Sequence, residues 1–114
     1  MKKTLFVIGF IVVLSLTGCD NENNPTNATV SQAHGMRDGV YVRISGEIVS
    51  QLGREWYIFR DHTGEITVEI EDEVWFRNGL TPNIALPARF EIVGEVDRES
   101  GQPTIIEVER LRRI

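Results

Sequence analysis

The sequence predicts one small all-β domain, a barrel of five strands with one short helix, and three observations support this prediction. Apolar and polar residues alternate with a period of two in most segments between residues 40 and 114. Glycines interrupt two of these segments, as in strands that bend sharply to close a barrel. A single stretch, residues 72–79, has the acidic start and glycine end typical of a short helix.

The first 18 residues are predicted to be a cleaved export signal. Lys2 and Lys3 form a positive start, and the apolar run over residues 5–16 is too short to serve well as a spanning helix. The run ends in Leu16-Thr17-Gly18-Cys19, which resembles the bacterial lipobox, a leucine and two small residues before a modified cysteine. The resemblance implies cleavage before Cys19, a lipid on its sulfur and acylation of the new amino terminus.

Cys19 is therefore the expected membrane anchor, because three acyl chains hold a protein far more firmly than the marginal attachment of one. Asp20 follows, and in Gram-negative lipoproteins an aspartate there resembles the signal for retention in the inner membrane. The expected location in the cell envelope is the periplasmic face of that membrane. In a Gram-positive cell, Asp20 would have no sorting role and the protein would lie on the extracytoplasmic face of the cell membrane.

Residues 19–29 are predicted to be a lipidated flexible tether, since those after Cys19 are mostly turn formers without a large apolar side chain. The formal net charge is −5, and losing Lys2 and Lys3 with the signal makes the mature chain −7. Such a charge repels phosphate backbones and bare anionic lipid. Nucleic acid is therefore not an expected partner, whereas a cationic partner is easier to accommodate.

The first three predicted strands follow one another through short turns. Alternation begins at Val40, and Gly46 precedes a phase slip at Ile48 and Val49 that indicates a bulge or a sharp coil. The second strand, residues 56–59, is apolar on both faces. A tight connection ending at Gly64 leads to the third strand, residues 66–70.

The short helix comes next, and residues 90–95 and 106–111 form the fourth and fifth predicted strands. This order is that of the OB-fold, a five-stranded Greek-key barrel with a helix between strands 3 and 4. An SH3-like barrel also has five short strands and is the alternative topology. The folded domain is expected to span residues 30–114.

Several motifs of this barrel occur together: Val42-x-x-x-Gly46-x-Ile48-Val49, Tyr57-x-Phe59-x-Asp61-x-x-Gly64-x-Ile66-x-Val68-Glu69-Ile70, Trp75 and Gly94-Glu95-Val96-Asp97. Over about residues 29–114 the chain resembles the bacterial OB-fold (BOF) family, the YgiW/YdeI-type periplasmic stress-tolerance proteins. The resemblance implies an OB-fold, an exported location and a role in tolerance of envelope or oxidative stress. It implies neither an enzyme nor any agreed ligand-binding residues, and the lipobox departs from the plain signal usual in the family.

No catalytic, metal or cofactor site is predicted. His34 and His62 are the two histidines, too few for a zinc site once the thiol of Cys19 carries lipid. The carboxylates of residues 69–73 lack the alternating acids and the glycine of a calcium loop. They are interpreted as a solvated strand end and helix start, and the protein is not expected to be an enzyme.

The second strand provides most of the candidate binding residues. Trp56, Tyr57 and Phe59 could form a stacking platform of the kind OB-folds use. A small barrel also needs large side chains inside, so Tyr57 and Phe59 are predicted to belong to the core, and Trp56 with Ile58 to the opposite face. The candidates for this platform and its rim are Trp56, Ile58, Arg60 and Arg43. For the arginines, simple solvated side chains are the alternative interpretation.

These observations favour a noncatalytic binding module, anchored to the envelope by lipid. Its expected partners, beyond the membrane itself, are a cationic peptide, a wall fragment or another envelope protein. The alternative hypothesis is a structural accessory subunit of an envelope protein complex.

Overall fold

The computed structural model describes residues 21–114, which form six strands and two short helices. The elements are β1 (Thr26–Asn27), α1 (Val30–His34), β2 (Tyr41–Gln51), β3 (Trp56–Asp61), β4 (Gly64–Glu69), α2 (Asp72–Arg77), β5 (Ala88–Asp97) and β6 (Ile105–Arg113). Neither helix of this described part is long and apolar enough to cross a membrane.

The strands form one sheet in the order β1-β2-β3-β4-β6-β5, and β5 pairs back onto β2 to close it into a barrel. The pairing of β4 with β6 is parallel, and the other pairings within the barrel are antiparallel. The predicted OB-fold is confirmed, because β2 to β6 are the five predicted strands and α2 lies between the third and fourth of them.

Two glycines allow the long strands to bend. A Cβ at Gly46 would collide with the carbonyl oxygen of Arg60, and a Cβ at Gly94 would lie 2.5 Å from the carbonyl oxygen of Glu107. The register of β2 shifts next to Gly46, between Ile48 and Ser50, and that of β5 shifts at Gly94 itself. Close backbone approach and a register shift therefore coincide in both strands, which agrees with the bending that the sequence predicts at these glycines.

The core lies inside the barrel and is built from the inward residues of every barrel strand. Tyr57 and Phe59 are 1% and 0% exposed, which confirms their predicted place in the core. Trp75 of α2 is also fully buried, and its ring lies edge-on to Tyr57 and to Phe90 with centroids 5.8 Å apart in each case. The short helix thus closes one end of the barrel with a single large side chain.

Residues 26–29 differ from the flexible tether that the sequence predicts there. Thr26 and Asn27 pair in parallel with Val42 and Arg43 of β2, and Thr29 caps α1 through a capping box with Gln32. The sequence did not indicate this order, because β1 contains no large apolar residue. Its stability comes from backbone pairing with a strand that only the folded barrel supplies.

The helix α1 is fastened to the barrel by Asp61 and Thr63. The Asp61 carboxylate accepts a hydrogen bond of 2.9 Å from the backbone N–H of Val30, and the Thr63 hydroxyl accepts one of 2.9 Å from Ser31. Burial alone would raise the pKa of Asp61, but hydrogen bonds from Thr63 and Val30 outweigh it and lower the pKa. Val30 is fully buried, so the segment before the barrel is part of the domain.

Candidate ligand-binding face

Trp56 and Ile58 lie on the outer face of β3, where the indole of Trp56 is 37% exposed and Ile58 is half-buried. The register places Ile58 beside Thr67 of β4, and Thr67 beside Ile105 of β6. These four residues, Trp56, Ile58, Thr67 and Ile105, are called the Trp56 face below. They place an aromatic, two aliphatic and one hydroxyl side chain on the same outer side of three neighbouring strands.

A shallow depression lies at one edge of the Trp56 face. It is lined by Trp56, Ile105, Asp97, Glu99, Gln102 and Pro103, and so lies between the start of β3 and the loop joining β5 to β6. In OB-folds the corresponding strand face and loop are the usual place for oligonucleotides and oligosaccharides to bind. The position suits a ligand, and its two carboxylates favour one with positive charge.

A row of carboxylates runs beside the Trp56 face. Trp56 pairs with Glu69, Glu69 with Glu107, and Glu107 with Glu95, so one cross-strand ladder places three acids on the same outer surface. Like charges directly opposite each other destabilise a sheet. The residues Glu69, Glu107, Glu95 and the adjacent Asp97 are called the acidic row below.

The acidic row shifts the ionisation of its own members. Burial raises the pKa of Glu107 to about 7, assisted by a hydrogen bond with Asp97 and by repulsion from Asp97, Glu69 and Glu95. Burial and neighbouring acids also raise the pKa of Glu69. Near neutral pH a proton is therefore shared within this row, and a cationic group brought close would displace it and restore the full negative charge.

The two candidate arginines lie in different places: Arg60 continues the outer face of β3 beyond Ile58, and Arg43 lies on another strand. Arg60 lies at the far end of β3, where it forms an ion pair of 2.6 Å with Glu47 and a longer one of 3.8 Å with Glu65. Arg43 lies on β2 and donates a hydrogen bond of 3.0 Å to the side chain of Asn27. The structure thus places Arg60 on the same outer face as Trp56 and Ile58, with its guanidinium group paired with Glu47, and places Arg43 away from them.

The remaining polar residues singled out by the sequence lie elsewhere. His34 is exposed on α1 and its ring nitrogen donates to the carbonyl oxygen of Glu65, while His62 is exposed beside Arg60 and Arg89. Within residues 21–114, no three histidine, cysteine, aspartate or glutamate side chains are arranged to hold a metal ion. Cys19 and Asp20 fall outside the described residues, so anchoring and sorting remain sequence predictions.

A comparison of the sequence with models of protein families identifies the family of this chain. The model of the bacterial OB fold (BOF) proteins matches residues 14–113. The chain belongs to the BOF family. This BOF protein is 33% identical to Protein YgiW of Escherichia coli K12 over 91 residues, which are 80% of the chain and 66% of YgiW. The matched part thus spans about two thirds of that relative.

Two further relatives have similar levels of identity. An uncharacterised protein of Haemophilus influenzae is 30% identical over 125 aligned positions, which cover 99% of this BOF protein and 98% of the relative. The calcium-regulated OB-fold protein CarO of Pseudomonas aeruginosa is 36% identical over 75 residues, 66% of this chain and 61% of CarO.

Solved structures agree on the fold. The E. coli YgiW structure superposes with a TM-score of 0.71 at 28% identity and covers 87% of this BOF protein and 100% of YgiW. The telomere capping protein Ten1 of Schizosaccharomyces pombe gives 0.55 at 19% identity, covering 78% of this chain and 80% of Ten1. At that identity, the likeness to Ten1 shows a shared OB-fold alone.

Sequence reasoning missed most of the residues that surround Trp56. Ile105, Glu107 and Asp97 come from strands far along the chain, and only the parallel register of β4 with β6 brings them beside β3. Alternation in the fifth predicted strand could have placed Glu107 on the outer surface. It could not have shown which strand would be its neighbour.

Proposed function

We propose that this BOF protein is a membrane-anchored envelope lipoprotein whose domain is a noncatalytic binding module in tolerance of envelope or oxidative stress. Membership of the BOF family supports an OB-fold binding domain. The tetrapeptide ending at Cys19 supports the lipid anchor, and Asp20 supports the periplasmic face of the inner membrane. The anchor would keep the domain at the membrane surface, where envelope damage occurs.

The proposed ligand is a cationic peptide segment that also carries an apolar side chain. A single observation carries this choice, the contact between the Trp56 face and the acidic row through the paired residues Trp56 and Glu69. An exposed indole attracts a basic group through cation–π interaction, and the neighbouring carboxylates attract the same charge. An anionic wall fragment would be repelled by the acids, and a neutral one would gain no charge attraction from them.

Peptide titration of the acylated protein in detergent tests this proposal. A lysine- and leucine-containing peptide is expected to change the fluorescence of Trp56 saturably, because Trp75 is fully buried and contributes a constant background. Added salt should weaken binding, since part of the attraction is between exposed charges. Trp56→Ala is expected to weaken it about thirtyfold, because a tryptophan anchor at an interface contributes about 2 kcal/mol.

The matched control is Phe76→Ala, which removes another exposed aromatic side chain, on α2 and outside the Trp56 face. It should leave the dissociation constant unchanged. Equal binding of an acidic peptide of the same length, or an unchanged affinity in Trp56→Ala, would contradict the proposed ligand. Cross-linking from position 56 to one stoichiometric envelope protein, without peptide binding, would favour the accessory-subunit alternative.

Separate measurements test the anchor and the role. Cys19→Ser should release the protein from membranes, and mass spectrometry of the native protein should show an acylated residue 19 at its amino terminus. Deleting the gene should sensitise the host to peroxide or to envelope-damaging peptides. Expression of Trp56→Ala at normal level should fail to restore resistance. Full restoration of resistance would show that the stress role does not depend on the Trp56 face.

A further inference from the structure

Three arginines gather on the outer surface of the sheet, away from the Trp56 face. Arg43 and Arg110 are the two cross-strand neighbours of Val93, so all three residues project from the same side of β2, β5 and β6. Arg112 follows on the same side of β6, opposite Glu91. Arg43, Arg110 and Arg112, called the arginine face below, line a shallow depression there.

The chain leaves the barrel toward residue 19 across this surface. Arg110 donates a hydrogen bond of 2.7 Å to the backbone carbonyl of Glu22, and Arg43 donates one of 3.0 Å to the side chain of Asn27. Glu22 is three residues from Cys19, a span of at most about 11 Å for an extended chain. Any group attached at Cys19 is therefore held close to the arginine face.

The arginine face is locally positive on an acidic protein. The hydrogen bonds just described join Arg43 and Arg110 to uncharged oxygens, so those bonds neutralise neither guanidinium. Among the lining residues, all within the described part of the chain, Glu91 is the one carboxylate, and it lies 3.3 Å from Arg112. Glu22, whose backbone carbonyl Arg110 holds, adds a second carboxylate to this surface. Three guanidinium groups therefore face two carboxylates, and one positive charge is left over beside the anchor.

Resting on the lipid anchor of the proposed function, we propose that the arginine face docks against anionic headgroups of the bilayer that holds Cys19. The reach from Cys19, at most about 11 Å, is only slightly longer than the Debye length of about 8 Å, so headgroup charge still acts on these side chains after partial screening. Guanidinium groups bind phosphates through paired hydrogen bonds. Each basic residue near an anionic membrane strengthens attachment about fivefold. Docking fixes the orientation of the barrel on the membrane.

Spin labels on the acylated full-length protein test the orientation. Ser45→Cys places a label opposite Glu91, beside the arginine face, and Ser100→Cys places one in the loop between β5 and β6. Both positions are exposed. Each labelled protein is reconstituted into phosphatidylcholine vesicles, with or without phosphatidylglycerol, that contain a nickel-chelating headgroup lipid. The label at position 45 should be broadened more than the label at position 100 when phosphatidylglycerol is present.

Charge variants separate docking from simple tethering. The double variant Arg110→Gln and Arg112→Gln should abolish the difference between the two labels, and Arg112→Gln alone, at a side chain 67% exposed, should reduce it without disturbing the fold. The control Arg37→Gln with Arg54→Gln removes the same charge from outside the arginine face and should leave the difference intact. Equal broadening of both labels, on protein that floats with the vesicles, overturns the docking proposal. Protein that fails to float overturns the anchor instead.

Discussion

Replacing Glu107 by glutamine should stabilise the domain in a pH-dependent way. Glu107 lies between Glu69 and Glu95 in the acidic row and hydrogen-bonds with Asp97, and burial with these neighbours raises its pKa from 4.5 to about 7. Glutamine keeps the size and polarity of the side chain and removes its charge. The change in the free energy of unfolding therefore isolates the cost of ionising residue 107 in the fold.

The sign follows from the raised pKa. Below about pH 4.5 the carboxyl group is protonated in both the folded and the unfolded chain, and the favourable protonated contacts are fully present. As the pH rises to about 7 the unfolded chain ionises first, so Glu107 progressively lowers the free energy of unfolding. The full difference in pKa corresponds to at most about 3 kcal/mol. Solvent screening on this partly exposed surface reduces the expected effect to about 1–2 kcal/mol.

Urea unfolding of both proteins at about pH 4.5 and about pH 8 measures the effect. Glu107→Gln should lie within about 0.5 kcal/mol of the parent at the lower pH, where only half of the unfolded chains carry the charge, and be more stable by about 1–2 kcal/mol at the higher. The control Glu99→Gln, at an exposed position in the loop between β5 and β6, should change stability by less than about 0.5 kcal/mol at either pH. An equal effect of Glu107→Gln at both pH values, or a loss of stability at pH 8, would refute the electrostatic account of the acidic row.

Two structural substitutions give further expectations. Gly94→Ala should lower the free energy of unfolding by about 3 kcal/mol, because the new Cβ would lie 2.5 Å from the carbonyl oxygen of Glu107. Gly35→Ala is the control, since its Cβ would lie 3.7 Å from the nearest atom, and it should leave the melting temperature nearly unchanged. Similar melting temperatures for the two would contradict the close packing of β5 on β6. Asp61→Asn should speed hydrogen exchange at the Val30 amide, because a neutral side chain accepts a weaker hydrogen bond from that amide than the carboxylate does. Unchanged exchange would show that α1 is held by burial alone.

The sequence predicted most of the fold because the barrel strands follow simple local rules. The need of a small barrel for large inner side chains predicted Tyr57 and Phe59 in the core, and the phase slip after Gly46 predicted a bulge or a sharp coil where the register of β2 shifts. The segment β1 followed no such rule. Thr26 and Asn27 have no apolar period, and their order comes from hydrogen bonds to β2, which a local pattern does not contain.

The candidate site was less predictable because its residues are neighbours only in the folded barrel. Trp56 could be assigned to an outer face from its own strand. Its partners Ile105 and Asp97 depend on which strands pair and in which register, and both pairings join segments distant in sequence. Arg60 was predicted to lie at the rim of this face, and the alternation of β3 puts it on the outer side after Ile58. In the fold it is paired with Glu47 at the other end of β3.

The net charge of the sequence does not describe the local charge on each surface of the folded domain. A charge of −5 predicts repulsion from every anionic partner, membrane lipid included. The register instead sorts the charges along β5 and β6, with Glu95 opposite Glu107 on one side of the bulge at Gly94 and Val93 opposite Arg110 on the other. Screening limits each group to its own surroundings, about 8 Å at physiological salt. One barrel can therefore present a cation-attracting surface at Trp56 and an anion-attracting surface where the chain runs toward Cys19.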